Sequence, residues 1–177
     1  MRIIGGEFKG QRFDVLKGFK GRPTTDFARE GLFNVLHNAL DWQETKVLDL
    51  FSGTGSLTLE CISRGAQSVV AVEKDRRASR HLDQLIESLE ISDAYCVAAD
   101  AFFYLEKQGN KFDLILADPP FKNVLGTRVH ETVFEQDCLS EGGVLIIEHD
   151  PHEILSGLSH WEQTRKYGKV HFSFFRK

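Results

Sequence analysis

Val47-Leu48-Asp49-Leu50-Phe51-Ser52-Gly53-Thr54-Gly55-Ser56 is the stretch that decides the fold. A short apolar run empties into two glycines and then into a segment with helical spacing, which predicts a strand, a tight turn and a helix. The alternation continues downstream. Residues 68–73, 95–98, 112–117 and 143–148 read as strands, and 56–63, 75–89, 101–107, 127–138 and 151–158 as helices. The chain ends on strands over 161–167 and 170–175 around Gly168-Lys169, a hairpin signal. Upstream, Pro23-Thr24-Thr25-Asp26 opens a helix: the proline biases Arg22 to extended backbone, hydroxyls are ready to cap, and Ala28, Leu32, Val35, Leu36 and Ala39 form one apolar stripe. Near-continuous apolar strands alternating with helices predict an α/β fold, a mostly parallel sheet with helices on both faces and one antiparallel strand at or near the edge.

At 177 residues, with 41% hydrophobic and 27% charged residues, the chain fits one globular domain with a short extension. No apolar run approaches the roughly 20 residues of a membrane span. The first ten residues carry charge and glycines where a signal peptide needs an apolar stretch, so the expected location is the cytoplasm. Cys61, Cys96 and Cys138 are scattered and form no CxxC pair, and they read as small core residues.

The net charge is −4, but it is unevenly placed. Arg2, Lys9, Arg12, Lys17, Lys20 and Arg22 face only Glu7 and Asp14 within residues 1–22. A basic arm on an acidic body suits a protein that meets phosphates at one end, although a solvated terminus has the same composition. Segments 2–4 and 11–15 are expected to pair as a small hairpin about a turn at 7–10. The organisation expected is thus an arm or hairpin over 1–22 and a domain over 23–177.

In an open α/β sheet, ligands bind beyond the carboxyl ends of the strands, where glycines let backbone approach them. Gly53 and Gly55 supply that turn after strand one. Glu73 ends strand two, where a carboxylate accepts hydrogen bonds from both hydroxyls of a ribose. Together they indicate a nucleoside-bearing cofactor. A dinucleotide fingerprint needs a third glycine at 58, where Thr58 stands, and Asp49 puts a negative charge where a diphosphate would sit. That charge suits the sulfonium and amino groups of S-adenosyl-L-methionine. Asp100-Ala101, after strand three, either binds the adenine amino group or caps the following helix.

Asp118-Pro119-Pro120-Phe121 closes strand four, the expected neighbour of strand one. An exocyclic amino nitrogen on a base is a poor nucleophile because its lone pair is delocalised into the ring. A carboxylate accepting one N–H and a backbone carbonyl accepting the other hold it for in-line attack on a methyl group. The prolines stiffen the turn so that the Pro119 carbonyl can face the pocket, and Phe121 offers a ring for the base to stack on.

The sequence resembles the amino-methyltransferases with a (D/N)PP(Y/F) motif, and more closely the bacterial 16S rRNA guanine-N2-methyltransferases of the RsmD type. The resemblance is carried by Met1-Arg2-Ile3-Ile4-Gly5-Gly6-Glu7-Phe8-Lys9-Gly10, Arg22-Pro23-Thr24-Thr25-Asp26, Arg29-Glu30-Gly31-Leu32-Phe33-Asn34, the loop 49–55 including Phe51, Ser63-Arg64-Gly65-Ala66, Glu73, residues 118–121 and Tyr167-Gly168. It implies a Rossmann-like class I methyltransferase with a seven-stranded sheet, the methyl donor above, and a guanine in 16S rRNA of an assembled or assembling small ribosomal subunit as acceptor. It also implies that Arg2, Lys9, Arg12, Arg22, Thr24 and Thr25 face RNA. The sequence departs from the family at Phe27, where a basic or polar residue is usual, and at Phe121, where tyrosine is commoner.

Other signals are weaker. Glu148-His149-Asp150-Pro151-His152 is more often a polar turn than a metal site, and methyl transfer needs no metal. Phe8 and Phe13 join Phe121 as rings that could stack on RNA. The default expectation is a monomer that meets no membrane. Two rivals remain: an amino-methyltransferase for adenine or cytosine in DNA or another RNA, and a non-catalytic RNA-binding assembly protein on the same scaffold.

Overall fold

A computed structural model describes residues 1–14, 16, 18, 19, 24–120 and 125–177. Strands β1 (Lys46–Leu50), β2 (Ser68–Glu73), β3 (Ala94–Ala98), β4 (Phe112–Ala117), β5 (Leu139–His149), β6 (Trp161–Tyr167) and β7 (Val170–Arg176) form one sheet in the order β3-β2-β1-β4-β5-β7-β6. The first five run parallel, and β7 lies antiparallel between β5 and β6. The predicted α/β architecture with a terminal hairpin is therefore the one the chain adopts.

Helices α1 (Asp26–His37), α2 (Ser56–Ser63) and α3 (Arg76–Ser88) cover one face. They pack Leu32, Phe33, Leu59, Cys61, Leu82 and Ile86 on Val47, Ala71, Leu116 and Ile146. Helices α4 (Ala101–Lys107) and α5 (Gly126–Glu135) cover the other, with Phe102, Leu105, Val129 and Val133 on Leu48, Val72, Ile115 and Ile147. Strands buried on both faces are apolar throughout, which is why the pattern reads as runs rather than alternation. All three cysteines are buried and free.

Two expectations change. Residues 151–158 form turns rather than a helix: the Asp150 carboxylate takes the His152 amide at 2.9 Å and its carbonyl takes the Glu153 amide at 3.0 Å, but no helical turn follows. β5 begins at Leu139, four residues earlier than expected; a register shift between Phe112 and Leu114 and the left-handed Gly142 carry it across the bend.

The predicted N-terminal hairpin exists as a single antiparallel bridge, Arg2 to Arg12, framed by Ile3 N–H to Gln11 O and Phe13 N–H to Met1 O. Residues 1–14 do not hang free. Ile3 and Phe13 are buried in the core under α1 and α2, and Phe8 packs against it, so Phe13 has no face for a base. The Glu60 carboxylate, 1% exposed, accepts the amides of Ile4 and Gly5 at 2.9 and 2.8 Å and pairs with Arg64. Ser63 accepts the Phe8 amide on its hydroxyl and donates that hydroxyl to the Gly5 carbonyl.

Candidate cofactor and acceptor site

The strand order reverses direction between β1 and β4, so the crevice beyond their carboxyl ends is the switch point at which such sheets bind ligands. Both motifs from the sequence end there. After Leu50 the chain turns through Phe51 at φ 60° and the left-handed Gly53 and Gly55. Gly55 must be glycine twice over: its φ is positive, and a Cβ there would lie 2.2 Å from Leu82.

Glu73 shapes this loop. Its carboxylate accepts the Gly53 amide at 2.8 Å and the Asp75 amide at 2.7 Å, tying the loop to the start of α3. A half-buried carboxylate fixed in this way keeps lone pairs for ribose hydroxyls.

Asp49, the penultimate residue of β1, is 1% exposed. Thr58 donates its hydroxyl to Asp49 Oδ2 in a short bond, which explains why threonine occupies the place of a third glycine. Asp49 Oδ1 is fully buried and has no partner among the described residues, and burial pushes the carboxyl up to about 7. An orphaned acidic oxygen beside a glycine turn calls for a cationic donor. The ammonium and sulfonium of S-adenosylmethionine meet that need and a diphosphate does not, so this is the methyl donor the site fits.

Asp100 caps α4: its Oδ1 accepts the amides of Phe102 and Phe103, and Oδ2 pairs with Lys74 at 3.1 Å. The capping account is the one seen. Ala101 is buried behind it, and Phe51 meets Phe102 edge to face at 5.8 Å. Phe102, which the sequence did not single out, thus extends the apolar wall, with the Arg128 guanidinium 3.8 Å from its ring.

Asp118 stands at the end of β4, its amide donating to the Leu50 carbonyl across to β1 at 3.3 Å. Pro119 is buried and Pro120 exposed. Burial, then the neighbouring Glu148 and Asp49, push the Asp118 carboxyl well above the usual range. Phe121 and Arg22 lie outside the described residues.

The residues expected to face RNA divide. Arg2 and Arg12 line a cavity of about 540 Å³ with Met1, Phe13, Asp14 and Asp26, and Arg2 reaches Asp26 at 3.5 Å; Lys9 is exposed in the turn. Thr24, 4% exposed, donates to Glu148 at 2.7 Å, and Thr25 caps α1 by accepting the Ala28 amide. Both hydroxyls are engaged within the chain. Phe27 is 67% exposed and touches the Tyr167 ring edge-on at 5.8 Å. Glu148 and His149 of the polar run diverge: Glu148 turns to Thr24, and His149 bonds Ser173.

The family model described as Conserved hypothetical protein 95 matches residues 1–176. The chain is 30% identical to the ribosomal RNA small subunit methyltransferase D of Escherichia coli K12, covering 100% of this chain and 90% of that one. It is also 30% identical to the putative rRNA methyltransferase YlbH of Bacillus subtilis, covering 100% and 99%. Among solved structures, the putative methyltransferase yhhF from Escherichia coli superposes with a TM-score of 0.87 at 28% identity, over 100% of this chain and 97% of that one. The likeness thus runs along the whole chain, from the docked N-terminal segment through the glycine turn to the last strand, and the protein belongs to the Conserved hypothetical protein 95 family, that of the small-subunit rRNA methyltransferases D.

Proposed function

We propose that this chain methylates the exocyclic N2 of a guanine in small-subunit ribosomal RNA, within an assembled or assembling particle, using S-adenosylmethionine. The observation that carries the reading is the placement of Asp118, in a proline-stiffened turn, one strand from Asp49 at the switch point of the sheet. The relatives named above as rRNA methyltransferases support the substrate class.

When bound, the cofactor supplies an electrophilic sulfonium methyl. The chain does the rest. Asp49 and Glu73 fix the donor's amino-acid and ribose ends. The Asp118 carboxylate accepts one N2–H, and the Pro119 carbonyl, which accepts no hydrogen bond among the described residues, takes the other. This presents the nitrogen lone pair to the methyl and excludes water from between them. Lys9, Arg12, Arg2 and Arg22 are the residues assigned to phosphates of the RNA.

The test is labelled methyl transfer to small ribosomal particles that lack the modification, followed by nucleoside analysis. N2-methylguanosine in 16S rRNA is expected. N6-methyladenine or a methylated cytosine would move the substrate to another base, and cofactor binding without transfer to any nucleic acid would make the chain an assembly protein.

A further inference from the structure

Ala117 and Ile147 are in register across β4 and β5, so Asp118 and Glu148 occupy the next rung. By alternation both project to the face that holds Asp49, Leu116 and Ile146, beneath α1. Glu148 is 3% exposed, and the Thr24 hydroxyl pins its Oε2. Its Oε1 accepts no hydrogen bond among the described residues, and neither Glu148 nor Asp118 forms an ion pair there.

Two adjacent carboxylates, Glu148 buried and Asp118 partly buried, are costly without a cation unless donors arrive from outside. Burial raises both groups, and Glu148 raises Asp118 further. The pair therefore calls for hydrogen-bond donors, and the amino-acid end of the cofactor is already claimed by Asp49 on the next strand.

We infer that Glu148 is a second acceptor in the target-base pocket, and that with Asp118 it selects guanine by its N1–H. The inference rests on the proposed function above. Guanine presents three donors side by side, N1–H and the two N2–H, against three acceptors here: Glu148, Asp118 and the Pro119 carbonyl. Adenine and cytosine place a ring nitrogen lone pair beside the amino group, which would face a carboxylate oxygen with no hydrogen between them. Sites that bond a substrate N–H reject analogues lacking it strongly, because their own polar groups are left unpaired. Thr24 makes the selection rigid, since it couples the segment before α1 to the end of β5.

The test uses small particles reassembled with 16S rRNA that carries guanine or 2-aminopurine at the methylated position. 2-Aminopurine keeps the amino group at C2 but has an acceptor at N1. Wild type is expected to methylate guanine about 100-fold or more faster. In Glu148→Gln the carboxamide oxygen takes the Thr24 hydroxyl and the NH₂ faces the base. The guanine rate should fall about 100-fold while the 2-aminopurine rate holds or rises. A guanine preference equal to wild type, whatever the rate, would overturn the inference. Absence of N2-methylguanosine with wild type on the guanine particle would instead overturn the proposed function. Cofactor titration reports folding. If Glu148→Gln cannot bind cofactor, Thr24→Val takes its place: it should lower the guanine rate severalfold and spare 2-aminopurine, and equal losses would overturn the inference.

Discussion

A Cβ on Gly6 would lie 1.8 Å from the Ser63 carbonyl oxygen at the end of α2. The N-terminal segment is held that closely because Gly6 is left-handed and because Glu60 and Ser63 bind its amides on either side. Gly6→Ala must undock the segment or distort α2. It is expected to cost about 2–3 kcal/mol, a fall in Tm of roughly 4–12 °C. Gly10→Ala pays only the left-handed penalty of about 1 kcal/mol, since nothing lies within 4 Å of a Cβ there. Thermal unfolding of both variants checks this, and equal losses would contradict the docking account.

Cofactor affinity should depend on pH through Asp49. Burial raises its carboxyl to about 7, so the empty folded protein holds a proton there that the unfolded chain releases near 4. This contributes stability that is full at acid pH and is lost as pH rises through about 7. A cationic ligand needs the ionised form. Affinity should therefore fall about tenfold per unit below pH 7 and level off above it. Calorimetric titration from pH 5.5 to 8 reads this directly, and a flat profile would remove Asp49 from the cofactor site.

Asp118→Ala should retain cofactor binding and lose at least about 100-fold in transfer rate, because it removes an acceptor used only by the target amino group. Equal loss of binding and transfer would make Asp118 part of the cofactor site or of the scaffold.

Lys9→Ala combined with Arg12→Ala should weaken RNA binding and flatten its salt dependence, by about 0.7–0.9 in log–log slope for each phosphate no longer neutralised. Binding measured between 50 and 200 mM salt tests it. An unchanged slope would place the RNA interface elsewhere.

The sheet was legible because buried parallel strands are apolar end to end and the glycine turn after Leu50 marks the first crossover. The places of Asp49, Glu73 and Asp118 were legible because each was read at the carboxyl end of a strand, and each lies within one residue of such an end. Asp100 left two readings open, and its capping of α4 is geometry that a sequence does not carry. Thr25, exposed, caps α1 as its place before a helix predicts, whereas the buried Thr24 hydroxyl bonds Glu148 across 124 residues, which no local pattern announces. Thr58 is similar. The missing glycine was visible, but not that a hydroxyl there would hold Asp49. Residues 151–158 carry an aspartate cap at 150 like those that start α3 and α4, yet only turns follow, an outcome that apolar spacing does not record.

The most direct test of the central claim is nucleoside mass spectrometry of 16S rRNA from cells lacking this protein, compared with the same cells supplied with wild type or Asp118→Ala. The account predicts that one N2-methylguanosine disappears on deletion, returns with wild type and stays absent with Asp118→Ala. An unchanged N2-methylguanosine complement, with a different methylated nucleoside lost instead, would contradict it.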